Sequence, residues 1–310
     1  MIIKMIAPCL QKGGTIGICS PSHIPLYEAA PGQEVKSSRE YKNIISEMER
    51  QGFRVVTGEN LYKDTWGYLA SDTERASDLN QLAADPSVDL ILFGGGEAGN
   101  ELLPYVDFDL FQKNPKRMCS YSDGTTLLNA VWALTGLETY YGQNPVCFTE
   151  PTEYNHRHFQ GHILSDNMTV HEKNSPWRTL TPGRAEGVLV GGYTTNFCLL
   201  LGTKYFPVDL NEPHVLFLED HEKFGGENHI SAVLGHIEQS DFMESVTGLI
   251  FGNFSDEPRP QLYARLKVLG ERHHIPVVYC DDFGHGENHA ILPIGRRAEL
   301  DAEQGILRYL

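Results

Sequence analysis

The sequence contains no run of apolar residues suited to crossing a bilayer, because no segment approaches the ~20 continuous apolar residues that a membrane helix requires. The opening stretch, residues 1–8, is too short for the apolar region of a signal peptide, and the polar residues Gln11 and Lys12 follow soon after it. We therefore predict a cytoplasmic protein with no membrane partner.

Paired cysteines and clustered basic residues are also missing. The six cysteines are far apart and form no CxxC pair, which is typical of reduced, buried thiols. Lys and Arg number 25 against 41 Asp and Glu, so the formal net charge is -16, and no basic cluster is present to bind a phosphate backbone. The composition therefore argues against a nucleic-acid polymer as a partner.

The first half of the 310 residues alternates strand and helix signals. Buried strands are predicted at residues 15–19, 53–56, 89–93 and 118–121, and helices at about 38–51, 71–84 and 125–134. Ser71 with Glu74 three residues later is the pattern of a capping box. This alternation predicts an α/β fold whose N-terminal domain is a parallel sheet with helices on both faces.

The second half begins with a weakly patterned stretch. From about residue 146 to 184 apolar residues are few and prolines, histidines and asparagines are frequent, as in a connection between domains. Strand candidates resume at 188–190, 215–218, 248–251 and 276–279. We predict an N-terminal domain over residues 1–150, an interdomain connection over 151–184, and a C-terminal mixed α/β domain over 185–310.

A serine stands at the junction between the strand at 118–121 and the helix at 125–134. A sharp turn there would expose Ser122, and the first N–H groups of the helix, including that of Asp123, would face any anion formed beside it. Ser122 is therefore a candidate nucleophile. The plainer alternative is that Ser122 or Asp123 only caps the helix.

Three consecutive glycines, Gly94, Gly95 and Gly96, follow the strand at 89–93. Successive glycines let main-chain N–H groups approach a ligand closely, as in an oxyanion hole or a phosphate cradle. Dinucleotide binding fits poorly, because its glycine pattern belongs after the first strand of the fold. A tight turn without function remains an alternative.

Two more strand ends carry groups suited to catalysis. His285 stands in a glycine-rich loop after the strand at 276–279, and Glu219 follows the strand at 215–218. A carboxylate so placed can accept a hydrogen bond from an imidazole of the same domain and fix its tautomer, although strand-end acids are more often simply solvated. His285, Glu287 and His289 also suggest a metal, but their order and loop position are not those of a zinc site, so we predict no metal.

Taken together, these stretches resemble the LD-carboxypeptidase family of serine peptidases, which includes murein tetrapeptide carboxypeptidases and microcin C self-immunity peptidases. The matching segments, in chain order, are 12–17 with 20–22, Gly95 with Gly96, 121–123 with Thr126, 183–187 with Gly191 and Gly192, 218–220, and 283–285. The resemblance implies a triad of Ser122, His285 and Glu219 that draws on both domains. It also implies an oxyanion hole formed by main-chain N–H groups of Gly95 or Gly96 and of Asp123.

The resemblance further implies a small peptide or muropeptide substrate, no cofactor and a homodimer. The leading hypothesis is hydrolysis of an L,D-peptide bond with release of terminal D-Ala. One alternative is cleavage of an aminoacyl-nucleotide amide, with Trp177 either stacking on the base or only packing. Another, from a different class, is a non-catalytic protein that binds a ligand through the glycine loop.

The chain departs from the family pattern at four positions. Ser120 stands where the family usually has Gly, and Tyr193 stands where Asn is common. In the glycine loop, Gly94 and Glu97 stand where the family often has Arg and Tyr. The change at Glu97 bears on which end of a substrate is accepted. Ser120 is a rival nucleophile, but two residues earlier it is predicted to lie within the strand.

Overall fold

The protein is described here from a computed structural model, which covers residues 4–22, 36–67, 69–94, 96, 99–149 and 152–310. The strands in these residues are β1 (Thr15–Cys19), β2 (Arg54–Thr57), β3 (Leu90–Phe93), β4 (Arg117–Ser120), β5 (Thr139–Tyr141), β6 (Arg178–Thr181), β7 (Arg184–Tyr193), β8 (His214–Glu219), β9 (Val246–Asn253), β10 (Val277–Gly284), β11 (Leu292–Ile294), β12 (Arg297–Asp301) and β13 (Ile306–Tyr309). The α-helices are α1 (Lys36–Arg50), α2 (Asp72–Ala84), α3 (Asp109–Lys113), α4 (Thr125–Thr135), α5 (Glu153–Phe159), α6 (Thr194–Leu200), α7 (Glu227–Gln239) and α8 (Pro260–His273).

The N-terminal sheet has six strands within the described residues, in the order β11-β5-β4-β3-β1-β2. All neighbours in it are parallel except β11, which pairs antiparallel with β5. Ile91 and Phe93 of β3 join the core that includes residues of α2 and α4, while Leu90 and Leu92 join a second core with residues of α1 and α5. Successive residues of a strand point to opposite faces, so the predicted helices on both faces are confirmed.

The C-terminal sheet has seven strands among the described residues, in the order β13-β12-β7-β8-β9-β10-β6. Strands β7, β8, β9 and β10 are parallel, while β12, β13 and β6 pair antiparallel at the two sides. The predicted mixed α/β architecture of this half is therefore confirmed. Carboxyl ends of parallel strands line one edge of each sheet, which is where α/β proteins place their sites.

The structure contains short segments that the sequence did not predict, and one of them crosses from the C-terminal half into the N-terminal sheet. The stretch expected to be a connection contains α5, a π-helical turn (Gln160–Leu164) and β6, which joins the C-terminal sheet. Strand β11 lies between β10 and β12 of the C-terminal sheet in sequence but joins the N-terminal sheet. A strand of three residues, such as β11, carries too little periodicity to be recognised without its neighbours.

Helix α4 of the N-terminal half packs directly on β7 of the C-terminal half. The amide of the buried residue Asn129 donates to Gly191 O at 2.8 Å, and its oxygen accepts from Gly191 N–H at 3.2 Å. A Cβ atom at Gly192, whose φ is 135°, would lie 2.3 Å from Thr125 Oγ1. Only glycine therefore allows this approach of the two halves.

None of the helices in the described residues is both long enough and apolar enough to span a membrane.

Candidate active site

Three side chains from distant parts of the sequence meet at the carboxyl ends of strands from both sheets. Ser122 follows β4, Glu219 is the last residue of β8, and His285 follows β10. Ser122 Oγ lies 3.0 Å from His285 Nε2, and His285 Nδ1 lies 2.8 Å from Glu219 Oε2. Because an ionised carboxylate only accepts hydrogen bonds, Nδ1 carries the proton and Nε2 accepts from the serine hydroxyl. The structure thus brings together the three residues that the sequence predicted as a triad.

Solvent is largely excluded from this chain of hydrogen bonds. The Glu219 side chain is fully buried and the His285 side chain is 4% exposed. Gly284, with a φ of 109°, lets the loop pass close to the carboxylate, because a Cβ atom there would lie 2.9 Å from Glu219 Oε2. Burial lowers the local dielectric, so the carboxylate can stabilise a positive charge on the imidazole strongly.

The main chain at Ser122 is strained. Its φ is +55°, and in the described part of the chain only His274 among the other non-glycine residues also has a positive φ. Such a left-handed conformation costs a non-glycine residue roughly 1–2 kcal/mol and often marks a functional site. The turn is held by a bond from Thr125 Oγ1 to Ser122 O at 2.7 Å. This turn directs the Ser122 hydroxyl away from β4 and toward the His285 imidazole.

Tyr141, the last residue of β5, links two parts of this site, and sequence reasoning missed it. Its buried phenol accepts a hydrogen bond from Ser122 N–H at 3.0 Å and donates one to Glu219 Oε1 at 2.5 Å. Burial, with the negative charge of Glu219, raises the pKa of Tyr141 well above its ordinary value. The only signal in the sequence was an aromatic pair at residues 140–141, which is more often core packing.

Asp123 uses its side chain to hold the surrounding loops. Its buried carboxylate accepts hydrogen bonds from the Ser22 hydroxyl, from the Asn196 amide, and from Gly99 N–H at 2.9 Å. Burial raises the pKa of Asp123, and these donors oppose that rise. The main-chain N–H of Asp123 lies in the 3₁₀ turn (Ser122–Gly124), where the first N–H groups have no acceptor within the turn. That N–H is therefore suited to an oxyanion.

The glycine loop after β3 is only partly described. Gly94 and Gly96 are described, whereas Gly95 and Glu97, which the sequence analysis singled out, lie outside the described residues. The far side of the loop is tied to the site because Gly99 donates to Asp123. The predicted oxyanion donors Gly95 and Gly96 therefore stay a prediction.

Aromatic rings surround the imidazole of His285. The ring centroids of Tyr121, Tyr193 and Phe224 lie 5.2, 5.4 and 4.8 Å from that of His285. Phe224 is 48% exposed, and Lys223 Nζ lies 4.9 Å from the centre of its ring. Tyr193, one of the departures from the family pattern, is thus part of an apolar wall beside the imidazole, with a cation at its outer side.

Two other hypotheses from the sequence find less support in the geometry. Ser120, the rival nucleophile, lies in β4, is buried and donates to Phe93 O at 2.8 Å. His289 packs edge-on against Tyr121, with ring centroids 5.5 Å apart. Across the described residues, no group of three or more His, Cys, Asp or Glu side chains is placed to hold a metal ion.

The chain is similar to known proteins over nearly its full length. It matches the LD-carboxypeptidase N-terminal domain over residues 16–142 and the LD-carboxypeptidase C-terminal domain over residues 186–300. A putative carboxypeptidase of Streptomyces coelicolor is 34% identical, with 90% of this chain and 93% of that protein covered. A probable murein peptide carboxypeptidase of Bacillus subtilis is 27% identical, with 95% and 91% covered.

The same comparisons extend to a second group of relatives. The microcin C7 self-immunity protein MccF of Escherichia coli is 26% identical, with 96% of this chain and 93% of that protein covered. Among solved structures, an MccF-like protein of Bacillus anthracis str. Ames has a TM-score of 0.85 at 27% identity, with 99% of both chains covered. By its two matched domains and its carboxypeptidase relatives, this chain belongs to the LD-carboxypeptidase family of serine peptidases.

Proposed function

We propose that the protein is a serine carboxypeptidase that hydrolyses an L,D-peptide bond and releases terminal D-Ala from muropeptides. The observation that carries the proposal is the continuous hydrogen-bonded chain from Ser122 Oγ through the His285 imidazole to Glu219. A hydroxyl becomes a nucleophile when a base within hydrogen-bonding reach removes its proton and a third group orients that base. All three parts are present in this chain.

The reaction is acyl transfer in two steps. Ser122 Oγ attacks the scissile carbonyl carbon while His285 Nε2 takes the hydroxyl proton, and Glu219 stabilises the imidazolium. The tetrahedral oxyanion is held by the Asp123 N–H and by an N–H of the glycine loop. His285 then protonates the leaving amine of D-Ala, which leaves an acyl-enzyme on Ser122. Water, deprotonated by His285, hydrolyses that ester and restores the hydroxyl.

A carboxypeptidase must also recognise the free carboxylate at the end of its substrate. Lys223 is an exposed cation beside the aromatic wall, with its Nζ 4.9 Å from the ring centre of Phe224. An ammonium group so placed can pair with a terminal carboxylate while the peptide lies against Phe224 and Tyr193. The relatives named as carboxypeptidases support this choice of substrate end.

Replacement of the nucleophile tests the proposal. Ser122→Ala should abolish release of D-Ala from a muropeptide tetrapeptide, read by mass spectrometry, and should also abolish labelling by a fluorophosphonate. The matched control is Ser120→Ala, which removes a buried hydroxyl two residues earlier and should keep both activities. Near-normal turnover by Ser122→Ala would refute the proposal, and absence of labelling in the unmodified protein would favour a non-catalytic ligand-binding role.

A second candidate is cleavage of an aminoacyl-nucleotide amide, favoured by the similarity to MccF and by an exposed aromatic ring beside the imidazole. Phe224 is 48% exposed beside the imidazole, whereas the half-buried ring of Trp177 already packs against His171, with centroids 5.5 Å apart, and has Lys173 over it, so Phe224 is better placed to stack on a base. Incubation with an aminoacyl-nucleotide and with the muropeptide, followed by mass spectrometry, separates the two. Faster turnover of the nucleotide would replace the leading proposal.

The homodimer and the cytoplasmic location inferred from the sequence remain predictions. Light scattering on the purified chain measures the first, and fractionation of the producing cell measures the second.

A further inference from the structure

Tyr141 joins the main chain of the nucleophile to the carboxylate that orients the base. We propose that Tyr141 is a positioning residue for the acyl-transfer reaction, setting the orientation of Ser122 and of Glu219 through one phenol group. This inference rests on the proposed function. It goes beyond the triad because the phenol contacts neither the imidazole nitrogens nor the serine hydroxyl in the described geometry.

The phenol uses both of its hydrogen-bonding capacities inside the site. Its oxygen accepts from Ser122 N–H at 3.0 Å, and its proton goes to Glu219 Oε1 at 2.5 Å. Because His285 Nδ1 binds the other carboxylate oxygen, Oε2, the carboxylate is held at both oxygens and cannot rotate without losing a bond. Tyr141 therefore fixes the plane in which Glu219 meets the imidazole.

The hydrogen bond from Ser122 N–H to the Tyr141 phenol also supports the strained turn at Ser122. Ser122 has a φ of +55°, a conformation that persists only where surrounding contacts hold it. Loss of the phenol oxygen would remove the acceptor of Ser122 N–H and relax the turn, and the hydroxyl would move relative to His285 Nε2. A displacement of about 1 Å at a reacting atom is enough to cost roughly 100-fold in rate.

The ring of Tyr141 is itself immobilised. It is fully buried, packs against Phe217 with centroids 5.5 Å apart, and its Cε2 lies 3.0 Å from the position of a Cβ atom at Gly192. The acidic groups that face it are Glu219 of β8 and the phenol of Tyr121, and both raise the pKa of Tyr141 after burial itself. The phenol consequently keeps its proton, and remains a donor, at neutral pH.

Tyr141→Phe removes only the hydroxyl and keeps the packed ring. In this variant the pH-independent rate of fluorophosphonate labelling at Ser122 should fall by about tenfold or more, since hydrogen bonds to charged groups are among the stronger ones. The acid limb of the rate–pH profile should move up by about one pH unit, because the buried carboxylate, without the phenol donor, holds the imidazolium more tightly. With the peptide substrate, kcat should fall while KM stays within about twofold.

The matched control is Tyr140→Phe. Tyr140 is the preceding residue of β5, is equally buried, and donates to Glu138 rather than to the active site. This variant should label at the rate and with the pH profile of the unmodified protein. Identical behaviour of the two Phe variants would overturn the inference. A lower rate without movement of the acid limb would also overturn it, since that outcome would show that the phenol does not act on the imidazole through Glu219.

A second substitution covers the case in which Tyr141→Phe does not fold. Genetic incorporation of 3-fluorotyrosine at position 141 keeps both hydrogen bonds and makes the phenol a stronger donor. The acid limb of labelling should then move to lower pH, opposite to the Phe variant, and an unchanged limb would refute the proposal. Failure of the proposed function is distinguishable, because it shows in the unmodified protein, as absent labelling of Ser122 or absent release of D-Ala. Failure of this inference leaves Ser122 reactive and its labelling insensitive to the change at position 141.

Discussion

Replacement of Asp220 by Asn should stabilise the protein most at about pH 8, and the gain should shrink steadily as the pH falls and disappear only near about pH 4. Asp220 is fully buried beside Glu219. One carboxylate oxygen accepts from His221 N–H at 2.7 Å, and within the described residues the other, Oδ2, has no hydrogen-bond partner. Burial first, and the negative charge of Glu219 second, raise the pKa of Asp220 from 3.8 to about 8.

The sign and size of the effect follow from proton linkage. Because the pKa of Asp220 is higher in the folded state than in the unfolded state, the folded protein binds one more proton between these two values. The free energy of unfolding therefore falls as the pH rises, by at most ~1.4 kcal/mol for each pH unit. From about pH 5 to about pH 8 the ceiling is about 4 kcal/mol. Asn keeps the acceptor for His221 N–H and has no charge to bury.

Urea unfolding at several pH values between about pH 5 and about pH 8 measures the difference in the free energy of unfolding between the unmodified protein and Asp220→Asn. The unmodified protein should lose stability across this range more steeply than Asp220→Asn, with a gap that widens toward high pH. Asp256→Asn, at an exposed position, is the control and should follow the unmodified protein. If the free energies of unfolding of the unmodified protein and of Asp220→Asn change in parallel with pH, the Asp220 carboxyl does not hold a proton in the folded state.

Two further substitutions probe the contact between the halves and the carboxylate of the site. Asn129→Ala should lower the free energy of unfolding by about 2–4 kcal/mol in urea titrations, because it leaves the buried N–H and C=O of Gly191 without partners. A loss of less than about 0.5 kcal/mol would contradict this prediction. Glu219→Gln should lower kcat by roughly 1,000- to 10,000-fold, since a neutral amide cannot stabilise the His285 imidazolium. A fall of less than about tenfold would refute that role for Glu219.

The parts of the fold that depend on local sequence could be predicted from it. Strand β1 (Thr15–Cys19) has the predicted bounds, and α2 begins after Ser71 with the predicted capping box, in which Ser71 N–H donates to Glu74 Oε2 at 2.9 Å. Strands β5 (Thr139–Tyr141) and β11 (Leu292–Ile294) were missed. Each has three residues and is stabilised by pairing with its neighbour, which is a long-range contact without a local pattern.

The residues of the candidate site also fall into two groups, those that the sequence could indicate and those that it could not. Ser122, Glu219 and His285 stand at strand ends in motifs with a recognisable order, so the sequence pointed to them, and their separations in the structure agree with that hypothesis. Tyr141 and Asn196 could not be identified, because a tyrosine in a strand and an asparagine in a helix have many structural uses. Their contacts with Glu219 and Asp123 exist only once both halves are folded together.

The geometry of the site depends on a loop that is anchored in both sheets. His285 follows β10 of the C-terminal sheet, and six residues after it Ile291 donates its N–H to His158 Nδ1 at 3.2 Å, just before β11 enters the N-terminal sheet. Ser122 follows a strand of the N-terminal sheet, whereas Glu219 and His285 both stand at strand ends of the C-terminal sheet, so a shift between the sheets would disturb the bond between Ser122 and the imidazole first. A variant that loosens the contact between the halves, such as Asn129→Ala, should therefore lose labelling of Ser122 at a lower urea concentration than the one at which it loses secondary structure. Loss of both at the same urea concentration would show that the two halves unfold as one unit.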